Sequence, residues 1–156
     1  ALRALPKGAG EAGKRTDTAA EGAGKTLKFS EMTPDEAMKI AQKYRTKAPI
    51  EIPESAIIKP ASKGGYEQIS YNWRDMTCKY EVRWHTRTPG APANQGNTWV
   101  IERITPGSGG VLPKSEILSG GQWISRYEWQ EAIKAYQKGT ATQRQLKTLK
   151  QGHWKE

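Results

Sequence analysis

The sequence predicts an α+β domain: a small, strongly twisted antiparallel sheet with helices packed on one face. Three observations predict it. Residues Lys79–Arg87 alternate between charged and large side chains, which is strand periodicity because successive side chains point to opposite faces. Two more alternating runs, Tyr66–Trp73 and Thr98–Ile104, flank that stretch with turn residues between them. Helix capping signals stand before the strands, at Thr33, and after them, from Ser125 onward.

In chain order, residues 1–30 read as a flexible linker. They are dominated by Ala, Gly, Lys and Thr, with too little apolar surface to offset the entropy of ordering. Gly22-Ala-Gly-Lys25 resembles a phosphate loop only in composition, because no strand precedes it. Residues 31–60 read as a helix and an extended connector. Thr33 is a suitable N-cap, Pro34 fits the first helical position, and Glu36 can complete a capping box. Met38, Ile40, Ala41 and Tyr44 give the helix one apolar side, and prolines at 49, 53 and 60 argue for extended chain beyond it.

Residues 61–156 read as the main domain. Arg74–Thr77 turns the first strand into the second, and the Pro/Gly-rich stretch Thr88–Asn97 is a loop directly after the charged strand. Pro106–Pro113 is another loop. Ile117-Leu118 and Trp123-Ile124 flank Ser119-Gly-Gly-Gln122 as a short hairpin. Two helices follow. Ser125 caps the first, whose buried side carries Tyr127, Trp129, Ala132, Ile133 and Tyr136, and Gly139 ends it. Thr140 caps the second, which carries Leu146 and Leu149 and closes at Gly152. Trp154 is expected to dock back on the domain.

Composition narrows the function. The formal net charge is +9, and residues 61–156 hold fourteen Lys/Arg against eight Asp/Glu, so most of the excess belongs to the folded part. Such a surface attracts polyanions: nucleic acid, an anionic membrane or an acidic protein. No apolar run is long enough for a membrane span. One cysteine and two histidines leave no internal disulfide, no Cys-based zinc site and no multi-histidine metal centre.

On the Lys79–Arg87 strand, Tyr80, Val82, Trp84 and Thr86 share one face. Lys79, Glu81, Arg83, His85 and Arg87 share the other. A carboxylate, an imidazole and cations in one row are the groups that metal-free RNA cleavage needs: a base for the 2′-hydroxyl, an acid for the 5′-oxygen, and charge for the phosphorane. His85 is the expected base or acid, Glu81 its proton-carrying or orienting partner, and Arg83 and Arg87 the phosphate forks. Lys79, Thr98, Arg103 and Lys114 are further RNA-binding candidates. His153 can complete an acid–base pair if the C-terminus folds back. Trp73, Trp123 or Trp154 can stack on a base. Each has a plainer role available: Glu81 in a surface ion-pair ladder, His85 as a packed side chain, His153 as a helix cap.

The runs Tyr80-Glu-Val-Arg-Trp-His-Thr-Arg-Thr-Pro-Gly-Ala-Pro92, Gln95-Gly-Asn-Thr-Trp-Val100 and Gln151-Gly-His-Trp-Lys155 resemble the C-terminal toxin domains of bacterial polymorphic toxins, including contact-dependent inhibition effectors. The resemblance covers about residues 66–156. It implies a ribonuclease of the barnase–EndoU–colicin–RelE-like kind, a fold matched only in part because helices here also follow the strands. It also implies delivery from a secreted or cell-surface effector into a target-cell cytoplasm, and a cognate immunity protein. A host translation factor is a further candidate partner, and no cofactor is expected. The expected activity is metal-independent cleavage of tRNA or rRNA to a 2′,3′-cyclic phosphate. Two alternatives stand beside it: a non-catalytic RNA-binding or translation-associated module, and a metal-dependent DNase.

Overall fold

A computed structural model describes residues 26–156. The linker reading of residues 1–30 and the glycine-rich Gly22–Lys25 fall, up to residue 25, outside the described residues. The architecture is α+β, with one antiparallel sheet as the alternation predicts. The strands are β1 (Ile57–Ser62), β2 (Glu67–Arg74), β3 (Lys79–His85), β4 (Thr98–Thr105), β5 (Lys114–Ser119), β6 (Gln122–Ser125) and β7 (Trp154–Lys155). The first six pair in chain order, and β7 returns to pair with β4. The outer edge of β4 is therefore shared: β5 takes Glu102–Thr105 and β7 takes Thr98 and Trp99. The helices are α1 (Pro34–Arg45), α2 (Arg126–Lys138) and α3 (Gln143–Gly152).

Local signals explain most of the boundaries. Thr33 and Glu36 form the expected capping box. Ser125 caps α2, and Gly139 ends it in the left-handed conformation, at φ 76°. The N-cap of α3 is Thr142, whose box partner is Gln145, and not Thr140. Thr140 is occupied in closing the previous helix, donating its hydroxyl to Ala135 O at 3.3 Å. The turn between β2 and β3 is held by Asp75, whose Oδ1 accepts the Thr77 and Cys78 amides, each at 2.8 Å. These bonds favour the ionised carboxylate and hold its pKa at about 2.

Two expectations change. The connector read at 31–60 ends in a strand, since Ile57–Ser62 pairs with β2. Its Pro60 lacks a donor and is tolerated because β1 is an edge strand. The helices also do not share one face. α1 packs with Phe29, Ala48, Ile50 and Ile52 on the face built from Ile69, Tyr71, Val82, Trp84, Trp99 and Ile101. α2 covers the opposite face, where Trp129 meets Val100 and Ile117, flanked by Ile133 and by Leu149 of α3. Residues 31–60 thus belong to the same core as the sheet. Tyr71 donates to Ala41 O at 2.7 Å, and the Tyr44 ring lies 4.6 Å from Trp84. Among the described residues, no helix is long and apolar enough to cross a membrane.

Gly152 is buried at the end of α3, and a Cβ added there would overlap the Trp129 ring. Gly152→Ala should therefore cost about 1–3 kcal/mol. Gly121→Ala, with nothing within 4 Å of its Cβ, should be near neutral. Paired thermal denaturation curves check the contrast.

Candidate active site

Strand register sets the frame. Glu81, Arg83 and His85 lie opposite Glu102, Val100 and Thr98 on β4. All six point to the face that α2 and α3 partly cover. The centre of this row is Glu102, only 1% exposed. Its Oε1 accepts from Arg83 Nη1 at 3.1 Å, and its Oε2 accepts from Arg126 Nη1 at 2.8 Å. Arg83 also donates to Glu81 Oε1 at 2.7 Å. A buried carboxylate is tolerated only when paired and hydrogen-bonded, and here both oxygens carry a guanidinium. The four charges balance. Arg126, with 52% of its side chain exposed, is the cation most open to an incoming anion.

Glu81 is not the partner of the imidazole. Four residues along a strand separate it from His85 by roughly 13 Å, and its carboxylate is bound to Arg83. His85 is oriented instead by Thr86 O, 3.1 Å from Nδ1. A carbonyl can only accept, so Nδ1 carries the hydrogen and Nε2 holds the free lone pair.

The C-terminus does fold back. Trp154 and Lys155 pair with Trp99 and Thr98, and His153 arrives with its ring centroid 6.3 Å from that of His85. His153 Nδ1 lies 2.7 Å from Leu149 O, so it too donates from Nδ1 and titrates at Nε2. This bond also makes His153 the cap of α3. Trp129 stands 4.9 Å from His153 and Tyr66 6.1 Å from His85, so the imidazoles sit between two aromatic rings. His85 is only 7% exposed, less open than a residue meeting substrate in a cleft is expected to be. Burial pushes its pKa down to about 4, with smaller contributions of the same sign from His153 and Arg83. Burial and the Arg83 charge push His153 down as well.

Other candidates lie elsewhere. Arg87 leaves the strand and donates to Pro92 O and Ala91 O, fastening the 88–92 loop. Lys79 pairs with Ile104 at the far end of β3. Arg103 is on the opposite face, bound to Glu116 at 2.9 Å and 4.2 Å over the Trp123 ring, and Lys114 approaches the same carboxylate. Thr98 is adjacent to His85 but fully buried, so it offers no surface to RNA; its Oγ1 has no partner among the described residues. Trp73 stacks on Tyr80 and Trp154 donates to Leu118 O. Sequence reasoning missed Glu102, Arg126 and Tyr66 as site residues. Only the β3–β4 register, which sets Glu102 against Glu81, reveals that two carboxylates there need a cation between them.

Among the described residues, no group of three or more His, Cys, Asp or Glu side chains could hold a metal ion. In comparison with known proteins, no family model, curated protein or solved structure matches the chain.

Removing the Glu102 carboxylate leaves Arg83 with Glu81 alone and the half-exposed Arg126 without its carboxylate, so Glu102→Ala should lower unfolding stability by about 1–3 kcal/mol, read from the urea midpoint. A second expectation concerns acid. The folded pKa of His85, about 4, lies below its ordinary 6.5, so the unfolded chain binds more protons in between. Stability present above 6.5 is then lost as pH falls toward 4, and His85→Gln should flatten that decline. Urea titrations across this interval measure it.

Proposed function

We propose that the domain is a metal-independent endoribonuclease of the toxin kind, cleaving RNA by general acid–base transfer between His85 and His153. The observation that carries this reading is the convergence of the only two histidines in the sequence, with ring centroids 6.3 Å apart. One imidazole comes from the central sheet and the other from the chain end. Both are tied through Nδ1 to a backbone carbonyl. That arrangement leaves two Nε2 atoms to exchange protons with a substrate.

His85, held neutral above about 4, is the base. Its Nε2 takes the proton of the 2′-hydroxyl as that oxygen attacks phosphorus. His153, when protonated, gives its Nε2 proton to the departing 5′-oxygen, leaving a 2′,3′-cyclic phosphate and a 5′-hydroxyl. Arg83, two residues from His85 on the same face, is the cation for the charge developing on the phosphoryl oxygens once the anion competes for it with Glu81 and Glu102, and Arg126, held by Glu102 further along the row, meets a neighbouring phosphate of the strand. Glu102 is a positioning residue that holds both guanidiniums. The surplus of cations in residues 61–156 suits an RNA strand, tRNA or rRNA, as substrate. In this reading the protein acts in a target-cell cytoplasm after delivery by a larger effector. A cognate immunity protein covers the histidines, and a host translation factor is a further candidate partner.

Two observations favour a second reading. His85 is 7% exposed and Arg83 is already matched by two carboxylates, which suits a non-catalytic RNA-binding module. The two readings separate on the imidazoles. For a ribonuclease, His85→Ala and His153→Ala should each reduce cleavage of total RNA by about a hundredfold or more, in the presence of EDTA, with RNA binding little changed. For a binding module, there is no cleavage to lose. Cutting of plasmid DNA that EDTA abolishes would instead favour the DNase.

The pH profile carries its own sign. The base must be neutral, above about 4, and the acid protonated, below a value itself lower than 6.5. The rate should therefore peak on the acid side of 6.5 and fall toward neutrality. Initial rates on a defined oligoribonucleotide check it.

A further inference from the structure

Beside the histidine pair lies a cavity of about 380 Å³, walled on one side by the loop from Thr88 to Gln95 and on the other by α2 and α3. It falls in the roughly 300–1,000 Å³ range of small-ligand sites. Its walls divide by chemistry. Ile133 and Tyr136 of α2 give an apolar side with one aromatic ring, and Lys150 adds a cation. His153 also lines the cavity, so the space reaches one member of the acid–base pair.

The remaining side is Gln95. Its Nε2 is buried and has no hydrogen-bond partner among the described residues. Gln95 lines the cavity while its Nε2 is buried behind that wall, so turning the carboxamide toward an acceptor in the cavity gives up no hydrogen bond of Nε2 and meets an N–H that is costly to leave unpaired. The loop that carries it is fastened. Lys155 Nζ donates to Asn94 O and Gln95 O at 3.2 and 3.3 Å, and the Gln95 amide donates to Pro92 O at 3.0 Å. Arg87 ties the same loop from its other end.

We infer that this cavity is the nucleobase subsite of the ribonuclease, seating the base next to the scissile phosphate against Tyr136, with the Gln95 carboxamide turning to donate from Nε2 to an acceptor on the base edge. The inference rests on the ribonuclease reading for its role but on the cavity for its ligand. A planar ring with apolar faces and a polar rim fits these walls. A carboxamide is a side chain that discriminates between base edges. Lys150 is the cation for the phosphate on the outer side. Base selectivity is thereby set by the Thr88–Asn97 loop and α2 together.

The test is a titration of the intact chain with each of the four nucleoside 3′-monophosphates and with inorganic phosphate, followed by calorimetry. At least one nucleotide should bind about tenfold or more tightly than phosphate. Gln95→Leu should erase the preference among bases, and Tyr136→Leu should weaken all four. Four nucleotides indistinguishable from phosphate would overturn the inference, as would a base preference untouched by Gln95→Leu in a variant whose circular dichroism is unchanged. If Gln95→Leu does not fold, Tyr136→Leu decides alone: undiminished nucleotide affinity overturns the subsite. No bond is broken in this titration. Base-dependent binding without RNA cleavage would keep the subsite and reject the ribonuclease; cleavage without base-dependent binding would do the reverse.

Discussion

Two residues of strand pairing hold the site together. Trp154 and Lys155 zip onto Trp99 and Thr98, along the half of the β4 edge that β5 leaves free. Two residues of ladder are too few to order a chain end on their own. The pairing persists because its neighbours are committed. The Trp154 indole packs against the main core and donates to Leu118 O, and Glu156 Oε1 accepts from Trp84 Nε1 and Asn97 Nδ2. His153 is placed by these bonds from one side and by α3 from the other. Without the return of the chain His85 has no second imidazole beside it.

The second constraint is electrostatic. Glu102 sits inside the sheet face with both oxygens engaged, and the guanidiniums it holds come from elements far apart in sequence, β3 and the first turn of α2. It is a pin between sheet and helical layer as much as a part of the site. The arrangement also limits the chemistry. Arg83 is shared by two carboxylates, so an anion must compete for it, whereas the half-exposed Arg126 is open from the start. The imidazoles, pressed between Tyr66 and Trp129, are held neutral first by desolvation, and the Arg83 charge acts in the same direction.

Much of the fold was legible because strand alternation in this chain is clean. Tyr80, Val82 and Trp84 are buried on one face as the pattern requires, and the capping residues of α1 and α2 are where they were expected. The second helical layer was not read from the sequence, although a signal for it is there. Trp99-Val100-Ile101 is apolar without alternation, which marks a strand covered on both faces. The site was legible only in part. Alternation places Glu81, Arg83 and His85 on one face but says nothing of range, and four residues of strand are too long for Glu81 to reach the imidazole. Arg87 was lost because the strand ends before it, where the chain turns into the Pro89–Pro92 loop. Glu102 and Arg126 needed the pairing register and the helix docking, neither of which a single sequence carries.

His85 and His153 lie together as one pair, each tied through Nδ1 to a backbone carbonyl, which leaves Nε2 of both for proton transfer. Nitrogen-15 and proton NMR of the two imidazoles as a function of pH, with and without inorganic phosphate, addresses it directly. Contacts between the two rings and the Nδ1–H tautomer in both are expected. His85 should titrate near 4 and His153 below 6.5, with both values raised when phosphate binds between them. Two rings without mutual contacts, each titrating near the ordinary 6.5 and indifferent to phosphate, would contradict it.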